Sequence, residues 1–125
     1  MRVVVEPGDA LKMSEVLTDF VEPYVRFADT QEAYRRLLTL AVLAWNASFL
    51  PVREQREMIN TVIDEGIPTA TEELRTGLKD IVLMLIARKR EHFSEHKRKI
   101  IDFEVTDTGK GYRVIVASTL EEVAS

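Results

Sequence analysis

The chain has 125 residues, of which 46% are hydrophobic and 30% charged, with a net charge of −4 and no cysteine. That is the size of one domain able to bury a core, and the composition excludes a disordered chain. The lack of cysteine excludes disulfides, thiolate metal sites and cysteine nucleophiles, leaves His, Asp and Glu as the only metal ligands, and fits a reducing, cytoplasmic setting.

"MRVVVE" is β-branched and closed by the turn residues "PGD" at 7–9, so residues 1–12 read as a short strand or a loose leader. No basic segment followed by an apolar one opens the chain, so secretion is not expected. Val16, Leu17, Phe20 and Val21 recur at helical spacing, and Pro23 limits that helix or kinks it toward Tyr24 and Phe27. Asp29 with Glu32 has capping-box spacing, with Thr30 as a competing cap. The helix that follows runs to about Leu50 and is apolar nearly all round from Leu37, which makes it the central helix. Its longest apolar run, "LLTLAVLAWNASFL" at 37–50, is shorter than the ~20 residues a membrane span needs, so no membrane partner is expected. Trp45 and Phe49, four residues apart, read as core.

Pro51 ends that helix. In "VREQREMINTVIDEG", Met58, Ile59, Val62 and Ile63 share a face and Gly66 stands at the stop position, defining a third, amphipathic helix. Thr69 with Glu72 forms a standard capping box, and the helix it opens runs without a breaker to about Lys99. Such a helix is ~45 Å long, more than a domain of this size easily covers. Finally "IIDFEVTDTGKGYRVIVAS" has two alternating segments around Gly109, Lys110 and Gly111, a hairpin in which Val105 faces Val114 and Phe103 faces Val116. A lone hairpin is marginal in water, so it needs a helix, the Val3–Val5 segment or a second subunit's hairpin. The fold class is mainly α (α+β): residues 13–99 form a four-helix core with a central apolar helix, 100–118 a hairpin packed on the long last helix, and 119–125 a tail.

Both histidines of the chain fall in "EHFSEH" at 91–96. His92, Glu95 and His96 spell H-x-x-E-H, which resembles the inverted zinc-protease signature of two metal-ligating histidines and a water-activating glutamate. The resemblance covers five residues. Two histidines four apart share a helix face, as zinc ligation requires. On a continuous helix, however, both fall within about 40° of Leu85 and extend the leucine stripe. A third protein ligand is also needed; Asp102, Glu104 and Asp107 are nearest in sequence, and none is well placed. An ordinary helix margin is therefore the expectation, with His92 and His96 as the metal-ligand alternative and no catalytic residue nominated.

"RKREHFSEHKRK" from 88 to 99 carries a local charge of +4 against −8 for the rest, the asymmetry of a polyanion footprint. Arg88, Lys89, Arg90, Lys97, Arg98 and Lys99 are its candidate contacts. Each trio fans around the helix, so a solvated helix end is expected instead. No phosphate loop, nucleophile elbow, Rossmann fingerprint or calcium loop is present, and no cofactor is implied. The reading that follows is a non-catalytic interaction or scaffold protein, self-associating as a homo-oligomer and open to a protein partner. Its grounds are the overlong helix, the dependent hairpin and the exposed strand edges. Nucleic-acid or polyanion binding is the alternative, and a zinc hydrolase the third.

Overall fold

The computed structural model describes residues 3–5 and 9–119, with side chains from Met13 onward. The tail expected after Thr119 lies outside the described residues. In chain order the elements are β1 (Val3–Val5), α1 (Asp9–Val21), a 3₁₀ helix (Glu22–Phe27), α2 (Gln31–Ala47), α3 (Val52–Gly66), α4 (Glu72–His92), β2 (Ile100–Asp107) and β3 (Tyr112–Thr119). This is the expected α+β class, four helices with a C-terminal hairpin.

Local chemistry explains most of the boundaries. Pro23 stands in the first turn of the 3₁₀ segment, where its missing N–H is harmless, and the α-helical ladder stops just before it. Thr30 caps α2, its hydroxyl accepting from the Ala33 N–H at 3.0 Å, so the cap is Thr30 and not Asp29. Pro51 precedes α3 with φ −57°, already set for helix entry. Thr71 caps α4 by accepting from the Leu74 N–H at 3.1 Å. That start lies two residues beyond the expected Thr69, because residues 67–70 are closed into a turn by the Ala70 N–H donating to the Ile67 carbonyl.

α2 holds the centre. It packs on α4, α1, α3 and β2, and Leu38, Ala41, Ala44, Trp45 and Ala47 on it are completely buried. Its alanines let neighbouring helices come close, while Trp45 fills the space where α1, α2 and the segment after α4 converge.

The sheet is three-stranded and antiparallel in the order β1-β3-β2. β1 thus provides the third strand that the hairpin needs. The register is the expected one, Val105 opposite Val114 and Phe103 opposite Val116, with Val105, Val114 and Val116 buried. At the turn Gly109 has φ 83°, a left-handed conformation open to glycine, and Asp107 Oδ1 accepts its N–H at 2.7 Å. The hairpin and α4 contribute to one buried cluster that includes Leu85, Ile86, Ile100 and Val116. α1 lies along β3 and α2 along β2.

Two expectations change. α4 ends at His92, so its 21 residues span roughly 31 Å at 1.5 Å each rather than ~45 Å. Nor is the outer edge of β2 open. Asn46 Nδ2 donates to the Ile100 carbonyl at 2.7 Å and its Oδ1 accepts the Ile100 N–H at 2.9 Å. Asp102 Oδ1 accepts the Phe103 N–H at 2.8 Å, and Gln31 and Arg35 both donate to the Val105 carbonyl. Side chains take the hydrogen-bonding positions a further strand would use, which protects an edge from pairing. Among the described residues no helix is long and apolar enough to cross a membrane.

Asn46→Ala leaves the N–H and C=O of buried Ile100 without their partners. An unfolding free energy lower by about 1–3 kcal/mol is expected in urea titration, with Asn46→Asp also destabilised because a carboxylate faces the Ile100 carbonyl.

Candidate functional site

The residues singled out in sequence gather where α4 ends and the connection 93–99 begins. His92 is the last residue of α4, its side chain 61% exposed, with Nε2 3.8 Å from Glu91 Oε2. His96 lies beyond the helix in a turn, its N–H donating to the Phe93 carbonyl at 3.1 Å. Its ring sits 6.1 Å from those of Trp45 and Phe93. Because the helix stops between them, the shared face that an i, i+4 pair would give is lost. Glu95 is exposed. Among the described residues no three His, Asp or Glu side chains come together as metal ligands.

The six basic residues divide in the same way. Lys89 is only 3% exposed, and its Nζ donates to the carbonyls of Phe93 at 2.8 Å and His96 at 2.7 Å. The ammonium lies 4.4 Å from the centroid of the Trp45 ring and 4.9 Å from that of Phe49, within cation–π range of both. Arg88 reaches α1, its Nε donating to the backbone carbonyl of Phe20 at 2.9 Å and its Nη2 to the backbone carbonyl of Asp19 at 3.0 Å. It thereby places a cation at the negative end of α1, whose own last turn has no basic residue. Lys89 and Arg88 face inward and leave the proposed basic surface. Arg90 and Lys99 are exposed, while Lys97 and Arg98 are half-buried.

Sequence reasoning missed this enclosed ammonium. A signal was present: on the α4 wheel Lys89 falls about 40° from Leu85, inside the apolar stripe, and only Leu85's surroundings reveal what a lysine does there. Removing the ammonium from water lowers the Lys89 pKa from its usual 10.5 to about 8. Around it Phe93 meets Phe20 and Trp45 edge-on, with centroids 5.4 and 6.1 Å apart. Trp45 Nε1 donates to the Arg98 carbonyl at 2.8 Å. Phe93 is turned into the core, and these contacts replace the helical continuation that the sequence permits.

A second feature lies on the helical side. Between α2, α3 and α4 runs a groove of about 280 Å³ lined by Leu40, Leu43, Val62, Ile63, Ile67 and Leu78. Val62 is 44% exposed, and Leu74, one helical turn before Leu78, is 53% exposed. Charge sits nearby in opposite pairs, Glu32 with Arg36 at 2.6 Å and Asp64 with Lys79 at 3.0 Å. The groove has the mainly apolar lining of a binding surface, with Arg36 and Thr39 as the polar side chains on its wall among the described residues.

Comparison with known proteins yields no matching family model, no matching curated protein and no matching solved structure.

Two outcomes follow from the α4 terminus. Arg88→Ala removes two charge-assisted hydrogen bonds at the end of α1, and chemical denaturation should register a loss of roughly 1–3 kcal/mol that Arg88→Lys, with no fork of donors, restores only in part. With His92 and His96 on either side of a helix end, one equivalent of Zn²⁺ should leave the thermal midpoint of wild type and His92→Ala alike. A zinc-dependent rise confined to wild type would place a metal on this pair.

Proposed function

We propose that the chain is a non-catalytic interaction protein that self-associates through its helical face. The observation that carries this reading is the α2/α3/α4 groove together with the half-exposed Val62 and Leu74 beside it. An unfilled apolar trough and the apolar side chains able to fill it lie on one surface. That is the arrangement of a two-fold contact, in which the same patch serves as donor and acceptor on both copies. Flanking ion pairs of both signs also suit a patch that must meet itself, because each copy offers an anion to the other's cation.

The support has moved from the strands to the helices. Open strand edges motivate strand pairing between copies, but the β2 edge is occupied by Asn46, Gln31, Arg35 and Asp102. Apolar side chains on a helical groove supply the driving force instead, at about 25 cal/mol per Å² of apolar surface removed from water.

Sedimentation equilibrium between 1 and 100 µM, a range that brackets ~µM dissociation constants, tests the reading. A homo-oligomer is expected for the wild type and a monomer for folded Val62→Glu, whose carboxylate would be buried without a partner. A wild type that stays monomeric throughout the range would sink the proposal.

A further inference from the structure

The connection 93–99 closes over the centre of the molecule around a charge that has no counter-charge among the described residues. Lys89 is 3% exposed; its ammonium meets two carbonyls, Phe93 and His96, and two ring faces, Trp45 and Phe49. Of these rings Trp45 belongs to α2 and Phe49 to the turn after it, and both are uncharged. The connection carries His96, whose ring lies against Trp45, together with Glu95, Lys97 and Arg98. On α4 the neighbouring titratable and charged groups are Arg88, committed to α1, Arg90, Glu91 and His92. Among the described residues no carboxylate pairs with Lys89. A buried ammonium without an anion is held at a cost, since carbonyls and ring faces replace only part of its hydration.

Closure therefore rests on a balance. Favouring it are the Phe93 contacts with Phe20 and Trp45 and the Trp45 indole bond to Arg98. Opposing it is the return of Lys89 to water. Lys99 is already held to β3, its N–H donating to Thr119 Oγ1 at 3.1 Å and its carbonyl accepting the Thr119 N–H at 2.9 Å, so the part that can lift without loss of the α2 core or the sheet is 93–98.

We propose that residues 93–98 form a strap that opens locally while the helices and the sheet stay folded, and that the charge on Lys89 favours the open state. Opening uncovers Trp45 and Phe49 and hydrates the ammonium. The direction of the pH effect follows from burial, which lowers Lys89 to about 8 in the closed strap, against about 10.4 for a lysine in water. Below pH 8 the group is protonated in both states, and opening is at its easiest and insensitive to pH. From there to about pH 10.4 the open state holds more protons, so the closed strap gains on it, by roughly two orders of magnitude in the opening constant over the whole window. The strap rests on different residues from the self-association groove, and its test does not depend on that reading.

Hydrogen exchange on the full-length chain decides it. Trp45 is the chain's one tryptophan, so its indole N–H, which donates to Arg98, is a single resolved probe of the strap; the His96 N–H on Phe93 is a second. Protection factors, corrected for intrinsic exchange, are compared with those of α2 core amides such as Leu43. In the wild type the two strap probes should exchange through a smaller opening than the core amides, and their protection should rise tenfold or more between pH 7 and pH 9.5. Lys89→Met should show higher protection at pH 7 and no such rise. Lys89→Arg retains a charge that does not titrate in this range and should also lose the rise, which keeps the test decisive if the methionine variant does not fold. His96→Gln should keep it. Strap probes as protected as the α2 core, a flat wild-type profile, or a rise that persists in the folded Lys89 variants would each overturn the proposal.

Discussion

The structure depends on two adjacent side chains of α2, Trp45 and Asn46, which hold the backbone of a segment more than fifty residues away. Trp45 takes the Arg98 carbonyl and Asn46 takes both hydrogen-bonding groups of Ile100. Segment 93–100 thereby becomes an added layer on α2 instead of an extension of α4. Where α4 stops, where β2 begins and why the β2 edge is closed all follow from this attachment. An asparagine amide carries a donor and an acceptor side by side, like a peptide group, so it can pair with a strand residue as a neighbouring strand would.

The same attachment sorts the charges. A run of basic residues that looks like one feature along the chain has several roles in space. Arg88 turns back to α1, Lys89 turns inward beneath the connection, and Arg90 and Lys99 face water. An arginine suits the first role because its planar fork can meet two successive carbonyls, and a lysine suits the second because its compact ammonium fits between ring faces. Enclosing that ammonium with no carboxylate beside it among the described residues lowers the stability of the segment above it relative to the helices below, so the most firmly attached part of the sheet adjoins the part most easily lifted.

Apolar surface is managed differently on the two sides of the molecule. On the sheet side, polar side chains from α2 occupy the edge of β2 and Asp102, Glu104, Thr106 and Arg113 are exposed, with Ile101 and Tyr112 as the half-exposed large apolar residues. On the helical side, Val62 and Leu74 remain half in water beside an apolar groove.

By itself the sequence determined the helices, the hairpin and its register, because each rests on local chemistry: a threonine cap before α2, Pro23 and Pro51 at helix boundaries, alternating residues around Gly109. It determined that Trp45 is core and that α2 is central, because apolar residues on every side of a helix require neighbours on every side. Only the tertiary structure decided where α4 ends, because "FSEHKRK" is compatible with a helix and is drawn out of one by Trp45, Asn46 and Lys89, partners that no local rule brings together. For the same reason it decided that His92 and His96 do not share a face and that Lys89 is enclosed. A periodic pattern shows which residues point inward, but what waits for them there is set by chain segments brought near in space.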